Sequence, residues 1–101
     1  MSAPRLTDAR FHLIAKALAD PRRYDLLRRI GKALDALPCC QLRGCPEVSA
    51  ATVSHHMKEL ETAGLVESTR EGKFVTYRLR RAVLESYVAR IAQIGRTVAG
   101  C

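Results

Sequence analysis

Residues 49–66 most constrain what this chain can fold into: Ser49-Ala-Ala-Thr-Val-Ser-His-His-Met-Lys-Glu-Leu-Glu-Thr-Ala-Gly-Leu-Val66. Ser49 is a natural N-cap and Gly64 a natural C′ residue, so the spacing predicts a helix from Ser49 to about Ala63. At roughly 100° per residue, Val53, Met57 and Leu60 share one face. Ala51, His55 and Lys58 lie opposite, with Thr52 and Glu59 on one flank and Ser54 on the other. His56 lies nearer the core boundary. The outward set is short, polar and able to donate and accept hydrogen bonds. Ala51 is small enough for close approach to base edges, and the Thr52 methyl can meet a thymine methyl. An ordinary solvated helix face would look similar taken alone.

The neighbouring segments narrow the choice. Leu65–Thr69 and Phe74–Leu79 are rich in β-formers, and Glu71-Gly72 sits where a hairpin turn needs positive φ. Arg70, Lys73 and Arg78 make this hairpin basic. A polar helix running into a basic hairpin predicts a helix in the DNA major groove with a wing on the backbone beside it. The candidate DNA-contacting residues are Ser49, Ala51, Thr52, Ser54, His55, His56, Lys58, Arg70, Lys73 and Arg78.

Upstream, Thr7 or Asp8 can cap a first helix with Phe11, Ile14 and Leu18 on one face. Asp20-Pro21 marks a second start, Asp as N-cap and Pro at the first helical position. That helix is expected to turn Tyr24, Leu27 and Ile30 inward and to end at Gly31. Pro38 is expected to open a short third helix to about Arg43. Beyond the wing, Leu84, Tyr87, Val88, Ile91, Ile94 and Val98 form an apolar stripe on a last helix over 82–98. The order is helix-helix-helix-helix-strand-strand-helix: a mainly α winged helix-turn-helix with a small β wing. Residues 1–101 read as one such domain. Residues 1–6 form an arm, 38–63 the helix-turn-helix, 65–80 the wing and 82–98 a dimerisation helix.

Composition agrees. Apolar residues make up 48% of the 101 and aromatics only 5%, with no Trp, so the core must be mostly aliphatic. The net charge of +7 attracts polyanions. Because no apolar run approaches the ~18 residues of a membrane span, and no signal-peptide pattern follows Met1, a cytoplasmic location is expected. The four Cys are then expected as thiols.

Three segments together resemble the ArsR/SmtB family of bacterial repressors. They are Ala17-Leu-Ala-Asp-Pro-Arg-Arg-Tyr-Asp-Leu-Leu27, Thr52-Val-Ser-His-His-Met-Lys-Glu-Leu60 and Arg70-Glu-Gly-Lys-Phe-Val-Thr-Tyr-Arg-Leu79. The resemblance covers about residues 9–80. It implies a homodimer that binds double-stranded operator DNA, represses transcription and releases DNA when a metal, metalloid or oxidant reaches it. It implies a dimer interface of the first and last helices: here Phe11, Ile14 and Leu18 with Leu84, Tyr87, Val88, Ile91 and Ile94. An apolar stripe on the terminal helix of so small a domain independently calls for a partner.

The family's metal sensors often carry two cysteines separated by one residue. Cys40 matches the second, but the first falls at Pro38, which cannot be a ligand. The zinc site usual on the last helix has no counterpart, since residues 82–98 contain no His and only Glu85 as a carboxylate. What remains is Cys39, Cys40 and Cys45. Two readings of Cys39 and Cys40 stand side by side. If they occupy the first turn of a helix begun at Pro38, the helix dipole favours thiolate, which binds As(III), Sb(III) or another thiophilic ion and reacts with oxidants. Alternatively they are small buried apolar residues, as expected for Cys45. Cys101 reads as a free thiol near the chain end. His12 reads as an exposed or partly packed residue.

A thiol-dependent redox enzyme is disfavoured: there is no Cys-x-x-Cys, no βαβ pattern and no base positioned by a third group. A winged helix used only for protein contacts would lack the basic wing and the polar helix face.

Overall fold

The computed structural model describes residues 5–33, 37–38 and 50–96. Helix α1 (Asp8–Leu18) starts at Thr7, whose hydroxyl accepts the Arg10 N–H at 3.1 Å. Helix α2 (Pro21–Lys32) starts as the Asp-Pro pair predicts. Asp20 Oδ1 accepts the Arg22 N–H at 2.8 Å and the Arg23 N–H at 3.4 Å. The helix does not end at Gly31. It runs to Lys32, and Arg81 donates to the carbonyls of Gly31 and Ala33 at 2.9 and 3.4 Å, satisfying acceptors at its last turn.

Tyr24 does not point inward; it is 56% exposed, while Leu26, Leu27 and Ile30 are buried. Helical geometry explains the correction. The three buried positions fall within an arc of about 100°, and Tyr24 lies about 110° from its middle.

Strand β1 (Leu37–Pro38) replaces the expected start of a third helix. Pro38 pairs with Thr76 and Leu37 with Tyr77 in an antiparallel ladder. The sheet order is β1-β3-β2, so Pro38 sits on an edge strand, where a missing N–H is tolerated. The rest of the expected third helix, with Cys39, Cys40, Cys45 and the Ser49 cap, lies outside the described residues, as do Val98 and Cys101.

Helix α3 (Ala50–Thr62) ends in a Schellman motif. The Leu65 N–H donates to the Leu60 carbonyl and the Gly64 N–H to the Glu61 carbonyl. Gly64 has φ +86°, the left-handed value this stop requires. Strands β2 (Val66–Glu71) and β3 (Phe74–Leu79) pair antiparallel through Glu71 and Phe74, leaving Gly72-Lys73 as a two-residue turn. Glu71 is thus the last paired residue and not part of the turn. Gly72 carries φ +60° at the first central position, as a type II′ hairpin demands.

Helix α4 (Arg81–Gly95) follows at once, anchored by the Arg80 N–H on the Leu65 carbonyl at 2.8 Å. The core gathers Ile14 and Ala17 from α1, three residues of α2, and Val53, Met57 and Leu60 from α3. Leu65, Val66, Tyr77, Leu79 and Val83 complete it. Every major element therefore fixes the orientation of α3 and the hairpin. No helix among the described residues is long and apolar enough to cross a membrane.

Candidate nucleic-acid interface

Helix α3 divides as its periodicity predicts. Val53, Met57 and Leu60 are fully buried, whereas Ala51, Ser54, His55 and Lys58 are exposed and Thr52 is half-buried. The apolar face spends its burial on the core, so the opposite polar face stays available to a ligand. His56 departs from the candidate set. It is only 8% exposed, and its Nδ1 lies 3.4 Å from Nη1 of Arg23. Its position is about 70° from the middle of the buried stripe, close enough to be covered by α2. Burial pushes its imidazole below the ordinary histidine range; Asp20 opposes that shift, while Arg23, His55 and Arg22 add to it. His56 is therefore internal and does not face outward with His55.

The hairpin extends outward, with Glu67 to Phe74 all exposed. Arg70, Lys73 and Arg78 are exposed but do not share one face. Arg70 pairs with Val75 and lies on the side that continues into buried Tyr77 and Leu79, whereas Arg78 lies on the other side opposite Glu67. Directly opposed unlike charges favour each other, so Arg78 is partly countered at the base of the ribbon. Arg70 and Lys73 supply the tip. Phe74, exposed beside the turn, is a further wing residue that sequence reading passed over. Alternation along β3 was the signal that could have found it, because Phe74, Thr76 and Arg78 share the outward parity.

The first and last helices meet within one chain. The rings of Phe11 and Tyr87 are 5.1 Å apart, and the Arg90 guanidinium lies 4.2 Å from the Phe11 centroid while pairing with Asp8. Ile14, expected at a dimer interface, is 0% exposed and belongs to this chain's own core. A one-face reading of α1 could not separate a core contact from a partner contact. Leu18, Leu84 and Tyr87 are partly buried against the core. Val88, Ile91 and Ile94 remain exposed, Ile94 at 75%, and Leu13 on α1 is exposed as well. No group of three or more His, Cys, Asp or Glu among the described residues is placed to hold a metal.

The helix-turn-helix domain family model matches residues 18–69, the stretch from the end of α1 into β2. The arsenical resistance operon repressor of Staphylococcus aureus is 30% identical over 93 residues, covering 87% of this chain and 83% of that protein. The chain belongs to the ArsR/SmtB family. A second relative of this ArsR/SmtB chain is a putative arsenical resistance operon repressor of Halobacterium salinarum, ArsR2. It is 39% identical over 64 residues, which are 63% of this chain and 54% of that protein. The chain thus spans about half the length of several curated relatives it matches. Among solved structures, an ArsR-like transcriptional regulator from Rhodococcus sp. RHA1 superposes with TM-score 0.73 at 29% identity, covering 86% of this chain and 80% of that one. A homodimeric winged helix-turn-helix DNA-binding domain from Mycobacterium bovis shares the fold, with TM-score 0.68 at 22% identity over 89% of this chain and 88% of that one. These relatives are named as transcriptional regulators and not as enzymes.

Proposed function

We propose that the protein is a homodimeric, sequence-specific DNA-binding repressor that acts on the promoter of its own operon. The observation that carries this reading is the split of α3. Val53, Met57 and Leu60 are buried to the last few per cent, and Ala51, Ser54, His55 and Lys58 stand exposed on the other side. His55 donates to a base edge or phosphate, the Thr52 methyl meets a thymine, and Lys58, Arg70 and Lys73 neutralise phosphates. The second subunit docks through Val88, Ile91, Ile94 and Leu13, apolar residues left 41–75% exposed by the described chain. Docking there buries surface that would otherwise stay in water and sets the distance between the two α3 helices. The homodimeric relative from Mycobacterium bovis supports that assembly.

A gel shift with the promoter of its own operon tests the reading. Binding should weaken steeply with salt, with a log–log slope of about −0.9 per phosphate neutralised. Salt-insensitive binding, or none, contradicts it.

A second proposal concerns the signal. The arsenical-resistance names of the relatives and the Cys39-Cys40 pair support release by a thiol-reactive inducer: arsenite, antimonite or an oxidant. Pro38 pairs in β1 and starts no helix, so no helix dipole is invoked for these thiols. The inducer proposal therefore rests on the adjacent thiols and on the names of the relatives. Cys39→Ser with Cys40→Ser should keep operator binding and abolish release by arsenite. Equal release by wild type and the double variant contradicts it.

A further inference from the structure

Arg23 stands where three elements meet. Its Nε donates to the Ala17 carbonyl near the end of α1 at 2.8 Å, and its Nη1 reaches Nδ1 of His56 on α3 at 3.4 Å. Asp20, whose carboxylate caps α2, lies 3.9 Å from the same Nη1. A guanidinium has donors and no acceptor. Nδ1 of His56 must therefore be the acceptor, and the ring proton sits on Nε2. This contact exists only while the imidazole is neutral.

The contact does something the apolar packing of α3 cannot. Burial of Val53, Met57 and Leu60 sets which face of the helix turns inward but, being non-directional, resists small rotations about the helix axis only weakly. A hydrogen bond on the flank of that stripe is directional and resists rotation. His55 is the next residue back, its ring 5.8 Å from that of His56. Any rotation that breaks the Arg23 contact also re-aims His55 and the rest of the outward face.

We propose that His56 is a positioning residue for DNA recognition: held by Arg23, it sets the rotation of α3, and its protonation releases the operator. This rests on the DNA-binding reading above. Among the described residues, the charged groups around His56 are Asp20, Arg22 and Arg23 on α2 and His55 on its own helix. A proton on Nδ1 places a second cation against Arg23 in a covered site and removes the acceptor that His56 offers that guanidinium. Asp20 is the one carboxylate in that set, and it is already engaged by the first turn of α2.

The experiment is operator binding by fluorescence anisotropy at about pH 7.5 and about pH 5, a window that extends below the ordinary histidine range because burial lowers His56. Wild type should lose about tenfold in affinity for each pH unit below the His56 pKa. His56→Asn places an amide oxygen where Nδ1 stood and cannot titrate in this range, so it should bind near neutrality like wild type and lose the acid drop. His56→Leu should bind weakly at both pH values. His55→Asn should keep the drop, because His55 takes no part in the Arg23 contact. An unchanged acid drop in His56→Asn, or a drop removed by His55→Asn instead, overturns the proposal. So does nitrogen NMR of the free protein showing the His56 proton on Nδ1, a readout that needs no DNA. Absence of operator binding by wild type at both pH values is a different result: it overturns the DNA-binding reading, and this proposal with it.

Discussion

Arg10 donates from Nη1 to the carbonyl of Thr62 at 2.8 Å, so the first helix holds the last turn of α3 in place. Gly64 lies directly under this link, where an added Cβ would come 2.9 Å from the same Nη1. Its φ of +86° costs a non-glycine residue roughly 1–2 kcal/mol. Gly64→Ala should therefore lose about that much stability in urea unfolding. The crowding falls on the end of a flexible side chain and adds less, so Arg10→Ala should recover only a small part. No loss in Gly64→Ala would contradict the Schellman stop described for α3.

The outward face of α3 should separate into base and phosphate contacts. His55→Ala should cost about 1–3 kcal/mol of operator affinity, with little change on unrelated DNA. Lys58→Ala should weaken both and reduce the salt slope by about 1. Both residues are exposed, so melting temperatures should hardly move. Anisotropy titrations at several salt concentrations, with thermal unfolding alongside, check both statements.

Ile91→Glu places a charge in the exposed stripe of α4. It should convert the dimer to a folded monomer in analytical ultracentrifugation and weaken operator binding. Ile14→Glu should instead unfold the protein, since Ile14 is fully buried in its own core. A dimeric Ile91→Glu protein would move the interface elsewhere.

Acid should destabilise the protein modestly. The Arg90 hydrogen bond lowers the Asp8 carboxyl, the Arg22 N–H lowers Asp20, and the Arg28 hydrogen bond lowers Asp25, each from an ordinary 3.8. A carboxyl lowered on folding stabilises above its unfolded pKa, and that contribution is lost as pH falls through the lowered value. All three are solvent-screened, so each effect is small. Replacing all three by Asn should flatten the stability change between about pH 5 and about pH 2. An unchanged acid limb would assign it to other groups.

Local chemistry carried much of this fold. Asp20-Pro21, Gly64 and Gly72 each mark a stop or start that needs only adjacent residues, and all three act where the spacing predicts. The 3.6-residue period likewise separated Val53, Met57 and Leu60 from His55 and Lys58. What escaped depended on distant partners. Pro38 lacks an N–H, which suits a helix start and a sheet edge equally, and only Thr76, far along the chain, decides between them. Ile14 and Tyr24 were assigned by face alone, and a face does not say which neighbour covers it. His56 lies on the flank of its helix, where the outcome hangs on Arg23 from another helix.

The most direct test of the account is a hydroxyl-radical footprint of the operator promoter with wild type and with His55→Ala. Two protected half-sites about one helical turn apart, roughly 34–36 Å, are expected with wild type, and with His55→Ala the same protection should need roughly 5- to 150-fold more protein. A single protected patch, or a footprint that His55→Ala leaves unchanged, would contradict it.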